Sequence, residues 1–244
     1  MNLESAQRPV AIYAHPDDEV IGCSYAIYAL RDRIHCLFVT DGMPLQSECP
    51  EYYFPHTDYT YGESYIQMRR SEAVAALSAL GFIDNERLHF LGFTDGGLAE
   101  EYETFRNALK KLLESIKPDL IITHAYEGGH IDHDLTCAAV WELTGGENVW
   151  ICETPIYSVH GGKIRHNHRL ERHNDWGVEE HTCESKKRAF EEYPSQQIDL
   201  CYFETQRPEI YAFCERLRGN VDDFQHFPNG GEMLYERTCK ISFE

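Results

Sequence analysis

The chain has 244 residues, 42% apolar and 26% charged, enough for one large α/β domain with a full core or for two small ones. Its 22 basic against 41 acidic residues leave a net charge of −19, which repels phosphate backbones and argues against a nucleic-acid partner. No apolar run approaches the ~20 residues of a membrane span, and Met1-Asn2-Leu3-Glu4-Ser5 lacks the basic and apolar regions of a signal peptide, so a cytoplasmic protein is expected.

Residues 10–14 form a short apolar run, expected to be a buried strand. Residues 21–30 read as a helix, 35–40 as a strand, and 66–80 as a helix that Gly81 stops in the position glycine favours. Residues 88–91 suggest a short strand. Phe105, Leu109, Leu112, Leu113 and Ile116 recur at helical spacing until Pro118. A strand at 120–123, a helix at 135–143 and a strand at 149–156 follow. This alternation predicts a Rossmann-like α/β fold, a mainly parallel sheet with helices on both faces. After about residue 158 the pattern weakens. The stretch 160–181 is polar and irregular, 183–193 and 208–217 look helical, and 234–243 alternates enough for a closing strand. With no linker and no repeat in view, the expectation is one domain over 1–244, a core at 1–157 and a variable C-terminal third at 158–244.

The nine cysteines are odd in number and form no Cys-x-x-Cys pair, which disfavours a disulfide framework or a thiolate zinc site. Cys23, Cys36, Cys137 and Cys152 lie in apolar segments and read as small core residues.

Two polar clusters follow apolar strands. Ala14-His15-Pro16-Asp17-Asp18-Glu19 comes after the first strand, and His130-Ile131-Asp132-His133 after the strand at 120–123. In parallel α/β sheets ligands bind at the carboxyl ends of strands, where both clusters fall. Catalytic zinc is held by three protein ligands with a fourth position open. His15 and Asp18, three apart at a strand-to-helix turn, can face one point, and His133 can supply the third ligand. Asp17 then remains free to take a proton from an attacking water. Each cluster also has a plainer reading. Pro-Asp-Asp-Glu is a good helix start, and two histidines three apart are common on surfaces. Their joint placement favours the metal site.

The residues resemble the de-N-acetylase family that includes the N-acetylglucosaminyl-phosphatidylinositol deacetylases and the LmbE-like (PIG-L/LmbE-like) proteins. The likeness rests on Ala14-His15-Pro16-Asp17-Asp18-Glu19, on Arg69-Arg70-Ser71-Glu72-Ala73 with Leu80-Gly81, and on His130-Ile131-Asp132-His133, over residues 8–145. It implies a zinc hydrolase with one Zn2+ per chain, Fe2+ being the alternative ion, held by His15, Asp18 and His133, with Asp17 as general base. It further implies that His130 stabilises the oxyanion or protonates the leaving amine, that Asp132 orients this machinery from behind, and that Arg69 contacts substrate. Arg69 as a surface arginine paired with Glu72 or Glu63 is the competing reading. Ile131 replaces the family's usual proline. Some members place a tyrosine where Gly128 stands; Tyr126 is the nearest one here and is a substrate-contact candidate.

The expected reaction is removal of an N-acetyl group from an amino sugar or an N-acetylglucosamine-containing conjugate. The expected partner is that small molecule, with a homo-oligomer left open. Rivals are an amidase acting on a larger amide, such as a thiol conjugate, and a metal-dependent phosphoester hydrolase. Tyr52, Tyr53, Tyr59, Tyr61 and Tyr65 suggest a sugar-binding loop or a loop packed on itself. Asp95-Gly96-Gly97-Leu98 looks like an active-site loop or a simple turn.

Overall fold

The computed structural model describes residues 2–44, 62–144, 149–160, 163–166, 177–201, 203 and 208–214. In chain order these form β1 (Pro9–Tyr13), α1 (Asp18–Gly22), α2 (Ser24–Leu30), β2 (His35–Pro44), α3 (Glu63–Ala79), β3 (Leu88–Asp95), α4 (Tyr102–Ile116), β4 (Leu120–His124), α5 (Ile131–Thr144) and β5 (Trp150–Thr154). Then come β6 (Tyr157–His160), β7 (Lys163–His166), β8 (Gly177–His181), α6 (Lys186–Glu191), α7 (Gln197–Leu200) and β9 (Glu209–Cys214).

A seven-stranded sheet runs in the order β3-β2-β1-β4-β5-β9-β8. The first five strands pair in parallel, while β9 and β8 add antiparallel. β1 is buried along its whole length, as expected of a parallel strand covered on both faces. Its residues alternate: Ala11 and Tyr13 enter the cluster under α2, α3 and α6, while Val10 and Ile12 enter the one under α4 and α5. α4 buries Phe105, Leu109 and Leu113, one per turn, and Lys117 closes it in the left-handed region at φ 53° just before Pro118.

Three elements depart from the sequence reading. The helix expected at 21–30 breaks at Cys23 (φ −140°) into α1 and α2. The carboxylate of Glu209, far along the chain, takes the N–H groups of Ser24 and Tyr25 at 3.1 and 2.9 Å and so starts a new helix. The segment 208–217, expected helical, holds strand β9. Tyr211 and Phe213 fill the cluster beneath one face while Ala212 points the other way, and pairing with β5 overrides the apparent helical period. The polar stretch 160–181 contributes β8 and β7, which pairs back onto β6 just before it. The expected closing strand at 234–243 and the tyrosines at 52, 53, 59 and 61 lie outside the described residues. Tyr65 is buried in α3.

Candidate metal centre and active site

β1 sits between β2 and β4, so connections leave it to both sides and a crevice opens beyond the carboxyl ends of β1 and β4. His15 to Asp18 follow β1 directly, His124 ends β4, and His130 and His133 lie at the start of α5. The intervening loop is held by Asp134, whose carboxylate takes the N–H groups of Glu127 and Gly128 at 2.9 and 3.0 Å. At Gly129 a Cβ would stand 2.4 Å from the Tyr157 carbonyl oxygen, so only glycine fits.

Three donor atoms converge. His15 Nδ1 lies 3.1 Å from one Asp18 oxygen, His133 Nε2 lies 3.2 Å from the other, and the two imidazole nitrogens are 3.2 Å apart. Ligands ~2.0–2.2 Å from a common ion have such spacings, so this buried set fits zinc or a similar divalent cation. The electrostatics agree. Burial disfavours charge at His15, yet Asp95 and Asp18 raise its pKa well above the ordinary range, marking a place that attracts positive charge. Burial lowers His133 well below that range and so keeps it neutral, as a ligand must be. For Asp18, burial opposes ionisation, but His133, His15 and His124 hold the carboxyl well below its usual value.

The other nitrogen of His15 faces backwards. Nε2 is 3.1 Å from Asp95 Oδ1 and 3.3 Å from Asp132 Oδ2. A carboxylate that accepts from the far N–H fixes the ring's tautomer and aims the remaining lone pair at the ion. Asp132 is fully buried, and its oxygens also take the N–H groups of Gly96 at 2.7 Å and Leu98 at 3.4 Å. His130 stands edge-on to His15, ring centroids 4.5 Å apart. Its Nδ1 accepts the Asp132 N–H at 3.2 Å, so Nε2 carries the proton, 3.7 Å from Asp95 Oδ1.

Asp17 lies beside the ligands at φ +131°, ψ −26°, a region where a side chain is strained. Such a residue costs on the order of 1–3 kcal/mol and persists only where neighbours impose it. Two neighbours do. Glu19 Oε2 takes the Asp17 N–H at 2.9 Å, and Arg69 Nη2 donates to Asp17 Oδ2 at 2.9 Å and to the Pro16 carbonyl. Burial pushes the Asp17 carboxyl up to about 7 against the pull of Arg69. It pushes Glu19 up to about 8, against a hydrogen bond from Tyr193.

The structure thus brings together His15, Asp17, Asp18, His130, Asp132 and His133. Two expected substrate contacts are placed differently. Arg69 is 1% exposed and bonded to Asp17, Glu72 and Ser195, so its guanidinium is turned onto the protein's own carboxylates. Tyr126 is 3% exposed within the apolar cluster under α4 and α5, because the chain turns inwards before Gly128. Sequence reasoning passed over His124, which accepts the Ala14 N–H at 2.9 Å and stacks 3.9 Å from His133. It also passed over Tyr157, whose ring meets His133 edge-on at 5.5 Å. Asp95 lay in a stretch read as an active-site loop or a simple turn, with no role given to the residue itself. The available signal was position: each follows or ends a parallel strand on the side of the crevice.

Fold and site together define a Rossmann-like α/β protein with a buried set of two histidines and one aspartate that could hold a cation, at the point where the strand order reverses. The chain belongs to the GlcNAc-PI de-N-acetylase (PIG-L) family, whose sequence profile matches residues 10–144. A 1D-myo-inositol 2-acetamido-2-deoxy-alpha-D-glucopyranoside deacetylase from Catenulispora acidiphila is 29% identical over 147 residues, 53% of this chain and 45% of that protein. The match therefore spans under half of that relative's length. Among solved structures, a deacetylase of teicoplanin biosynthesis superposes with a TM-score of 0.64 at 18% identity, over 87% of this chain and all of that one. The N,N'-diacetylchitobiose deacetylase of Pyrococcus horikoshii gives 0.62 at 18%, over 90% and 88%. The 4-carboxy-2-hydroxymuconate hydratase of Pseudomonas putida gives 0.55 at 14%, over 88% and 99%. At these identities the structural likeness speaks for the fold alone.

Proposed function

We propose that the chain is a zinc-dependent N-deacetylase that removes the acetyl group from an N-acetylated amino sugar or a conjugate carrying one. The observation that carries this reading is the mutual 3.1–3.2 Å spacing of His15 Nδ1, the Asp18 carboxylate and His133 Nε2, with Asp17 alongside. A divalent ion held there polarises a carbonyl and lowers the pKa of a coordinated water towards ~7. Asp17 accepts the proton of the attacking water. His130 turns its Nε2–H to the oxygen on which negative charge develops, an interaction usually among the largest in acyl transfer, and the proton that Asp17 took from the water then goes to the departing amine. Asp132 and Asp95 hold His15 in register. Arg69 keeps the Asp17 carboxylate aimed at the site.

Asp95, His130 and Asp132 also gather around the second nitrogen of His15, which is what a two-metal phosphoester hydrolase would need. One fact favours one ion: Asp132 is engaged by backbone N–H groups. Two metals per chain would favour the rival.

The test is an amine-release screen across N-acetylated amino sugars, nucleotide sugars and pseudodisaccharides with zinc-loaded protein. Acetate is the expected co-product; a larger acyl product would favour the general amidase. Asp17→Asn should keep its metal and lose most turnover, and a near-native rate would remove Asp17 from its role.

We also read 1–244 as one domain, a reading supported by β9 and β8 extending the parallel sheet. We place it in the cytoplasm. Six free cysteines among the described residues suit a reducing compartment, and no helix there is long and apolar enough to cross a membrane.

A further inference from the structure

We propose that Tyr193 is a positioning residue for the catalytic base. The proposal rests on the role of Asp17 given above and reaches beyond the family-matched region, which ends at residue 144.

Asp17 is held in a strained backbone conformation by two partners, Glu19 and Arg69. Tyr193 touches both. Its hydroxyl donates to Glu19 Oε1 at 2.6 Å, while the other oxygen of the same carboxylate takes the Asp17 N–H. Its ring lies 5.6 Å from the Arg69 guanidinium. Tyr193 is fully buried, so no water competes for Glu19 on that side. The tyrosine is itself fixed from the next turn of chain. Ser195 donates through N and Oγ to Glu72 at 2.9 and 2.6 Å, docking this segment onto the helix that carries Arg69. Removing the hydroxyl frees one Glu19 oxygen, and the carboxylate no longer has a fixed orientation from which to hold the Asp17 N–H. The peptide can then relax out of the positive-φ region and swing the Asp17 carboxylate away from the attacking water.

The experiment is Tyr193→Phe in zinc-loaded full-length protein, which keeps the ring and its packing. The expected result is kcat roughly tenfold lower with KM unchanged, since small misplacements of a catalytic group cost rate rather than binding. Zinc content should stay at the wild-type value. In an Asp17→Asn background Tyr193→Phe should cause no further fall, because there is no base left to misplace. An unchanged kcat, or an equal fall in both backgrounds, overturns the proposal; the latter would mark Tyr193 as a general packing residue. A crystal structure of Tyr193→Phe gives a readout independent of activity. Asp17 is expected to leave φ +131°, and a backbone still held there without the hydroxyl overturns the proposal. If wild-type protein turns over no N-acetylated substrate, the deacetylase reading fails by itself, and the Asp17 backbone alone then decides the pinning by Tyr193.

Discussion

Asp132 joins His15, the proposed metal ligand, to the loop after β3, and two substitutions there should differ by amounts the geometry sets. Oδ2 faces both the Gly96 N–H at 2.7 Å and His15 Nε2 at 3.3 Å, while Oδ1 faces the Leu98 N–H at 3.4 Å. Asp132→Asn can keep its amide oxygen at the Oδ2 position and retain both of those contacts with a neutral acceptor. Its amide nitrogen then opposes the Leu98 N–H, and of the two negative charges behind His15 only that of Asp95 remains. Asp132→Ala removes every contact. Partners behind a metal ligand are worth about 10–100-fold in affinity. The asparagine variant should fall near the lower bound and the alanine variant near the upper, about 1.4 and 2.7 kcal/mol. Metal-free alanine protein should also lose about 2 kcal/mol of stability through buried donors left unpaired, roughly 4–8 °C in Tm for a chain of this size. Zinc competition against a chromophoric chelator measures the first effect, and calorimetry of the metal-free protein measures the second. Zinc affinity within about threefold of wild type in both variants would separate Asp132 from the metal site and refute the reasoning.

Asp41 gives a pH-dependent case. Burial lifts its carboxyl to about 6 against a hydrogen bond from Met43, with Asp95 adding to the rise. A folded-state pKa above the unfolded one stabilises at low pH, and that contribution is lost as pH rises through about 6. Asp41→Asn should therefore gain on the order of 1–2 kcal/mol at about pH 8 and nothing at about pH 4, and an equal Tm change at both would contradict this. Gly129→Ala would put a Cβ 2.4 Å from the Tyr157 carbonyl oxygen. Displacement of the loop before His130 should lower turnover and Tm together, and native values for both would show that the contact yields freely. Lys186→Met strips the cation from Glu209, which is 2.8 Å from Lys186 Nζ and 4% exposed. Urea unfolding should show a loss of about 3–5 kcal/mol, the cost of an uncompensated buried charge, and a loss under about 1 kcal/mol would mean that water reaches the pair.

The core of the fold was readable because its strands are short apolar runs and its helices carry an apolar period. β1, β4 and α4 announce themselves in this way, and the proposed metal donors follow strands whose carboxyl ends define the crevice. Asp132 and His130 came only through resemblance. Their roles depend on contacts with Gly96 N–H and Asp95 made across 35 or more residues of chain, which no local pattern encodes. The burial of Arg69 was hidden for the same reason. Sequence shows a charge on a helix, whereas its burial depends on three carboxyl and hydroxyl partners, one of them Ser195. β9 was misread because Ile210, Tyr211 and Phe213 satisfy a helical spacing almost as well as an alternating one, and the unpaired edge of β5 decides between them.

The region 158–244 is where the sequence is least legible, yet its described part is bonded to the elements that carry the proposed base. Glu209 begins α2 by accepting two of its N–H groups, and Lys186 ties that carboxylate to the Ile21 carbonyl at the end of α1. Ser195 binds Glu72, and Tyr193 binds Glu19. All these bonds converge on α1, α2 and α3, the helices that frame Asp17, Asp18 and Arg69. None of these bonds is made to α5, which carries His133. Substitutions at Tyr193 and Ser195 in this C-terminal clamp should therefore act on turnover through the proposed base, while metal affinity, proposed above to rest on His15, Asp18 and His133, stays near native. Changes behind His15 should move metal affinity first. Measuring zinc affinity and kcat on the two sets of variants separates the clamp from the ligand support, and a fall in zinc affinity with Tyr193→Phe as large as with Asp132→Asn would erase the distinction.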